Sequence, residues 1–208
     1  MFLLTFDIID SKQQEIKLID VLKNQRYFNK LQQKYKINKK NFQINEGDQI
    51  RILVHENFKI LELILETLAY LGRSNLKVRV FITKGELLSN DYQSLSELNA
   101  DIFYQNKKLE RETKADSFLY SSKSCIIRYQ NTNNLIDSLF LSISRLSLTK
   151  VENIAIIYQY IYENKTQQQL AKAYEVSQMA ISKKLKKSEI YVLKKLILEI
   201  NELLQKEL

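Results

Sequence analysis

The chain has 208 residues, of which 45% are hydrophobic and 27% are charged, and its formal net charge is +8. This composition is that of a folded globular protein and excludes a mainly disordered chain, while the length allows one large domain or one of about 140 residues with a small addition. No apolar run approaches the roughly 20 residues that cross a bilayer, and a single cysteine excludes a disulfide framework, so we expect a cytoplasmic protein with no membrane partner.

Periodic apolar patterns predict a β-α-β-β-α-β order in the first part of the chain. The predicted elements are a strand at 2–9, a helix at 11–35, strands at 42–44 and 50–54, a helix at 57–72 and a strand at 76–83. Ser11 and Gln14 have the spacing of a helix capping box, and Gly47 suits the tight turn of a hairpin. This order is that of a split βαβ, or ferredoxin-like, fold.

Weaker patterns follow after a predicted loop at 84–98. They indicate a helix at 99–113, strands at 118–121 and 125–129, and a helix at 135–143. We therefore predict that residues 1–147 form one ferredoxin-like domain of the palm or nucleotide-cyclase-like type. Beyond it the signals are only helical, with predicted helix caps at Thr149, Thr166, Ser177 and Ser188. Residues 148–208 are predicted to form a small all-α unit, which makes the whole chain an α+β protein.

The strongest local pattern is a predicted helix-turn-helix at 166–185. The small Ala171 allows two helices to cross closely, and the apolar residues of the segment suit a shared core. The second helix, at about 177–187, is then a recognition helix that enters the major groove of duplex DNA. The residues predicted to contact DNA from its outer face are Gln178, Met179 and Ser182 for bases, and Lys183, Lys184, Lys186 and Lys187 for phosphates.

Two alternatives remain open for this unit. Glu175 stands at the turn where such motifs favour glycine, and the same three-helix arrangement also serves protein docking or simple packing. The last helix carries an apolar stripe at 193–204, which either pairs two subunits into a homodimer or covers the core of the unit. The basic charge is concentrated, with seven lysines against two glutamates at 172–195, and this favours a nucleic-acid partner.

Asp7 interrupts an otherwise apolar strand, where a carboxylate requires protonation, hydrogen bonds or a cation. In a split βαβ sheet the hairpin turn brings Asp48 near the end of that strand. Asp7 and Asp48 are therefore a candidate Mg²⁺ site, and the amides around Ser11 and Lys12 are a candidate site for the phosphates of a nucleotide. The structural alternative is that Asp7 accepts hydrogen bonds from the helix-opening amides and Asp48 only shapes a turn.

Three short motifs followed by a helix-turn-helix resemble the SatD family of bacterial proteins. These motifs lie at 7–11, at 47–49, and at 78–79 with 85–86. The first two are also similar to the metal-binding strand and the Gly-Asp hairpin of class III nucleotide cyclases, which implies Asp7 and Asp48 as metal ligands. The departures from these families are bulky residues at Phe6, Phe81 and Thr83 in place of glycines, and Tyr104 and Lys108 where a cyclase has Asn and Arg. They argue against cyclisation.

We therefore expect a DNA-binding, transcription-regulator-like protein whose N-terminal domain is a non-catalytic sensor or assembly domain. The alternative is an Mg²⁺-dependent nucleotide-binding or nucleotidyl-transfer enzyme that uses Asp7 and Asp48. The structural alternative for Arg79 is an ion pair with a carboxylate such as Glu86. A third interpretation makes both parts of the chain interaction surfaces in a larger assembly.

Overall fold

The computed structural model describes residues 1–11, 21, 23–45, 48–55, 59–87, 91–98, 100–115, 126–130, 134–147 and 151–206. Within these residues lie the strands β1 (Phe2–Ile8), β2 (Phe42–Asn45), β3 (Gln49–Val54), β4 (Val78–Lys84) and β5 (Ile126–Gln130). The helices of the same residues are α1 (Gln25–Tyr35), α2 (Ile60–Arg73), α3 (Asp101–Ala115), α4 (Asn134–Ser147), α5 (Val151–Ile161), α6 (Gln167–Ala173), α7 (Gln178–Lys187) and α8 (Ile190–Lys206). The predicted α+β class is confirmed.

The strands form one mixed sheet in the order β2-β3-β1-β4-β5. Strand β1 is antiparallel to both β3 and β4, β2 is antiparallel to β3, and β5 runs parallel to β4. The register places Asp7 opposite Gln49 on one side and opposite Arg79 on the other. All seven residues of β1 are buried, as its nearly continuous apolar run predicts for the central strand of a covered sheet.

The two faces of the sheet carry different cores, because side chains alternate along each strand. On one face Phe2, Leu4 and Phe6 join a large apolar core that continues through α1, α2 and α4 into the C-terminal helices. On the other face Leu3 packs in a smaller core with the segment that leads into α3, and α3 itself lies against β1, β4 and β5. Asp7 shares this second face by alternation, so α3 is the helix closest to the candidate carboxylate site.

The C-terminal helices do not form a core of their own. Helix α5 packs along α2, helix α8 packs against α4, and their apolar side chains belong to the same continuous core as the sheet. Residues 153–159 of α5 are all buried, so this helix lies between the sheet-bearing part of the chain and the last three helices. The division at 147 and 148 stays a prediction, because residues 148–150 lie outside the described residues.

Two predicted helix boundaries are wrong. The long helix from Ser11 is interrupted, because α1 begins at Gln25 with Asn24 as its cap, whose side chain accepts a hydrogen bond from the amide of Tyr27. Ser188 is the C-terminal cap residue of α7 rather than the N-terminal cap of α8. The predicted caps at Asn57 and Thr149, the turn at Gly47, the strand at 118–121 and the only cysteine, Cys125, lie outside the described residues.

Candidate functional site

The carboxylate of Asp7 forms a buried ion pair with Arg79. The Nη2 and Nε atoms of Arg79 lie 2.7 and 2.8 Å from Oδ2 of Asp7, and the two side chains are 6% and 4% exposed. The other oxygen, Oδ1, lies 3.3 Å from Nε2 of Gln49 and 3.6 Å from Nζ of Lys114. Two cations and one amide thus supply the compensation that a carboxylate in an apolar strand requires. Arg79 thus pairs with a carboxylate, as expected, but the carboxylate is that of Asp7 and not that of Glu86.

Asp48 lies in a different environment from Asp7. Its Oδ2 accepts a hydrogen bond of 3.1 Å from Oγ of Ser11, and its backbone oxygen accepts one from the amide of Ile8. The two aspartates have no contact partner in common among the described residues. The structure therefore brings together Ser11 and Asp48, two residues of the predicted site. Asp7 instead forms an ion pair with Arg79.

The residues around Asp7 do not fit a metal ion in this arrangement. In the part of the chain that the structure describes, no group of three or more His, Cys, Asp and Glu side chains could hold one. Lys12, the second predicted phosphate contact, lies outside the described residues. The Mg²⁺ and nucleotide sites stay predictions, and the contacts of Asp7 favour a structural role, although its partners are side chains rather than the expected helix-opening amides.

Helix α3 contributes two charged residues to this cluster that the sequence analysis missed. Nζ of Lys114 lies 2.5 Å from Oε1 of Glu110, and the same carboxylate oxygen lies 3.3 Å from Nε2 of Gln49. A Glu four residues before a Lys is a common pair on one helix face, so the spacing itself is a signal. What the sequence could not indicate is that this face of α3 lies over the end of β1.

The segment predicted to be a helix-turn-helix folds as α6 and α7, joined by a turn at 174–177. Helix α6 begins with a complete capping box between Thr166 and Gln169, and Oγ of Ser177 accepts a hydrogen bond from the amide of Ala180 at the start of α7. Both predicted caps are confirmed. Glu175 has a φ of 52° in the turn, the left-handed conformation that favours glycine.

Helix α7 buries one face and exposes the other. Ile181 and Leu185 are buried in the core, and an advance of about 100° per residue places their neighbours around the opposite side. Of the residues predicted to contact DNA, five are exposed, namely Gln178, Met179, Lys183, Lys186 and Lys187, and two are half-buried, namely Ser182 and Lys184. Met179 is 68% exposed. The predicted outer face is therefore accessible along its length.

The charges of the four lysines of α7 can bind an anionic partner. Within the described residues none of them forms an ion pair with a carboxylate. Lys184 differs from the others in position, since its side chain lines an open groove towards the end of α2. The amide of Gln178 and the hydroxyl of Ser182 supply groups that can exchange hydrogen bonds with base edges.

The apolar stripe of α8 covers the chain's own core. Its buried members are Ile190, Leu193, Ile197, Ile200 and Leu204, and they belong to the large core. Of the two alternatives, the structure therefore shows the covering role for this stripe. A homodimer through α8 stays a prediction, and it would have to use the opposite side, where Tyr191 and Leu198 are exposed.

A polar cluster joins α1, α2 and α5, and the sequence analysis missed it. Oε2 of Glu66 accepts hydrogen bonds from Nζ of Lys34 at 2.6 Å, from the hydroxyl of Tyr35 at 2.6 Å and from the hydroxyl of Tyr158 at 2.8 Å. Burial, together with the contact to Glu66 and against the effect of Lys34, raises the pKa of Tyr158 to about 12. The cluster ties the C-terminal helices to the rest of the chain.

None of the described helices is long and apolar enough to cross a membrane. Comparison of the chain with protein-family models, with curated proteins and with solved structures finds no match.

Proposed function

We propose that this protein binds duplex DNA through α7. The observation that carries the proposal is the accessible outer face of this helix, opposite the buried Ile181 and Leu185. This face combines Gln178, Met179 and Ser182 with four lysines that form no ion pair within the described residues. An α-helix with its side chains has the width of the major groove of B-DNA. Lysines on such a helix neutralise phosphates, while the amide, the hydroxyl and the thioether contact base edges.

The local backbone supports the same proposal. Two short helices are joined by a four-residue turn, and the second helix is capped by Ser177. This arrangement supports a helix-turn-helix, in which the second helix would read the groove. The core of the pair is made by Leu170, Ile181 and Leu185, which are all buried. We propose that α6 and α7 are this motif and that they are held on the sheet-bearing part by α5.

For the sheet-bearing part we propose a ferredoxin-like fold with a sensor or assembly role, within a transcription-regulator-like protein similar to the SatD family. The order β2-β3-β1-β4, with every one of these neighbouring pairs antiparallel, supports two interlocked split βαβ units. The ion pair of Asp7 with Arg79 supports a non-catalytic role, since it uses the carboxylate that a metal would need.

Charge reversal on α7 tests the proposal. Binding of a fluorescein-labelled duplex of mixed sequence is measured by anisotropy between about 50 and 200 mM salt. We expect Lys183→Glu with Lys187→Glu to weaken binding at least about tenfold and to reduce the slope of log affinity against log salt by about 1.8, because two phosphate contacts are lost.

The matched control is Lys108→Glu with Arg111→Glu, which makes the same change in net charge on exposed residues of α3, at the opposite face of the sheet. It should leave most of the affinity intact. Equal loss in both variants would show that only the total charge matters, and unchanged binding after the α7 reversal would refute the proposal. Thermal unfolding of both variants checks that the fold is preserved.

A further inference from the structure

An open groove lies beside α7, on the flank that faces the sheet-bearing part of the chain. It has a volume of about 410 Å³, and its lining residues are Gly72, Arg73 and Asn75 at the end of α2, Ala155 and Ile156 of α5, Tyr174 in the turn, and Lys184. The groove therefore joins the end of α2 to the helix that we propose to read DNA.

The groove is cationic. Among the residues that the structure describes, its charged lining residues are Arg73 and Lys184, and none of the lining residues is a carboxylate. Neither cation forms an ion pair within the described residues. Glu163, whose charge acts on Tyr174, forms its own ion pair with Lys165 at 2.9 Å. The hydroxyl of Tyr174 and the amide of Asn75 add neutral hydrogen-bonding groups. This set of donors suits a phosphate group.

The groove lies on a flank of α7 that would face a sugar-phosphate strand if the helix filled the major groove of DNA. Lys184 lies about 100° around the helix from Lys183, which points away from the core. The major groove is about 12 Å wide, so a helix that fills it brings its flanking side chains to the sugar-phosphate strands on either side. Lys186 and Ser182 lie towards one flank, and Lys184 with Arg73 lies towards the other.

We propose that Arg73 and Lys184 together clamp one backbone phosphate of the DNA on which α7 docks. The sheet-bearing part of the chain then contributes directly to the interface through the end of α2. This inference rests on the proposed DNA binding. It adds to the DNA interface one residue outside the helix-turn-helix, Arg73, and a contact with the second sugar-phosphate strand. The ligand chemistry is a phosphate in a DNA strand rather than a free anion.

The test is the salt dependence of DNA binding by Arg73→Ala, Lys184→Ala and the double variant. A lost phosphate contact lowers the slope of log affinity against log salt by about 0.9, which corresponds to about eightfold weaker binding at about 0.1 M salt. Because both side chains hold the same phosphate, we expect each single variant to lose much of this contact, and the double variant to lose about 0.9 of slope in total rather than twice that amount. Arg73→Lys keeps the charge and should restore the slope. Lys108→Ala, on the far side of the sheet, is the control.

The outcomes separate this inference from the proposed function. If the wild-type protein binds no DNA, both fail. If reversal of Lys183 and Lys187 abolishes binding while Arg73→Ala keeps the wild-type affinity and slope, only the clamp is refuted. Sodium phosphate in place of chloride at equal ionic strength distinguishes the source of the phosphate: stabilisation of the wild type but not of Arg73→Ala, without any effect of Arg73 on DNA, would assign a free-anion site and overturn the clamp.

Discussion

Replacing Asp7 by Asn is expected to destabilise the protein strongly. The substitution keeps the shape of the side chain but removes its charge, while Arg79 remains 6% exposed and loses the carboxylate that lies 2.7 and 2.8 Å from its nitrogens. Breaking a buried pair by removing one partner costs about 3 to 5 kcal/mol, because an uncompensated charge stays buried. A domain with a total free energy of unfolding of about 10 kcal/mol would lose a third or more of it.

Urea unfolding followed by circular dichroism measures this loss. The single variants Asp7→Leu and Arg79→Met, with the double variant, complete a thermodynamic cycle. We expect the double variant to recover much of the loss of either single variant, because an apolar pair of similar volume leaves no buried charge. Asp101→Asn is the control, since this exposed acid of α3 should change the free energy of unfolding by less than about 0.5 kcal/mol.

Two results would refute this reasoning. A loss of less than about 1 kcal/mol in Asp7→Asn would mean that the ion pair is not needed to compensate a buried charge. A rise of the wild-type unfolding midpoint on addition of Mg²⁺, absent in Asp7→Asn, would mean that Asp7 leaves Arg79 and binds a metal instead. The same variant thus separates the structural role of Asp7 from the alternative enzyme.

Two further predictions concern pH and backbone strain. Because the pKa of Tyr158 is raised from 10.0 to about 12 in the folded protein, the unfolded chain releases this proton first. The contribution of Tyr158 to stability is therefore constant below pH 10 and falls as the pH rises from 10 towards 12, and Tyr158→Phe should lessen this fall in urea midpoints measured against pH. Glu175→Gly removes a left-handed non-glycine residue and should raise the free energy of unfolding by about 1 kcal/mol. Glu175→Gln should not, and an equal gain in both would identify charge rather than strain.

The elements with strong local signals could be predicted from the sequence. The apolar run of β1 predicts a central strand, because a strand covered on both faces has no polar side to alternate. The caps at Thr166 and Ser177 follow from hydroxyl side chains placed directly before apolar periodicity. The outer face of α7 follows from the same periodicity, because two buried residues four positions apart fix which side faces water.

The parts that could not be predicted depend on contacts between residues that are far apart in the sequence. Arg79 is 72 residues from Asp7, and only the register of β1 with β4 brings them opposite each other. Tyr158 is 92 residues from Glu66, so nothing local links them. The break before α1 was not predicted for another reason. The helical spacing of apolar residues continues on both sides of Asn24, but the side chain of Asn24 caps a new helix there.

Residues 153–159 of α5 are buried on every side of the helix, so the chain cannot be divided for experiments at the predicted boundary after residue 147. A fragment ending at residue 147 would leave the apolar surface of α2 in water, and Glu66 would lose the hydroxyl of Tyr158. Such a piece is expected to aggregate, whatever the sheet does in the intact molecule. Point substitutions on the surface are therefore the sound way to assign roles to either half.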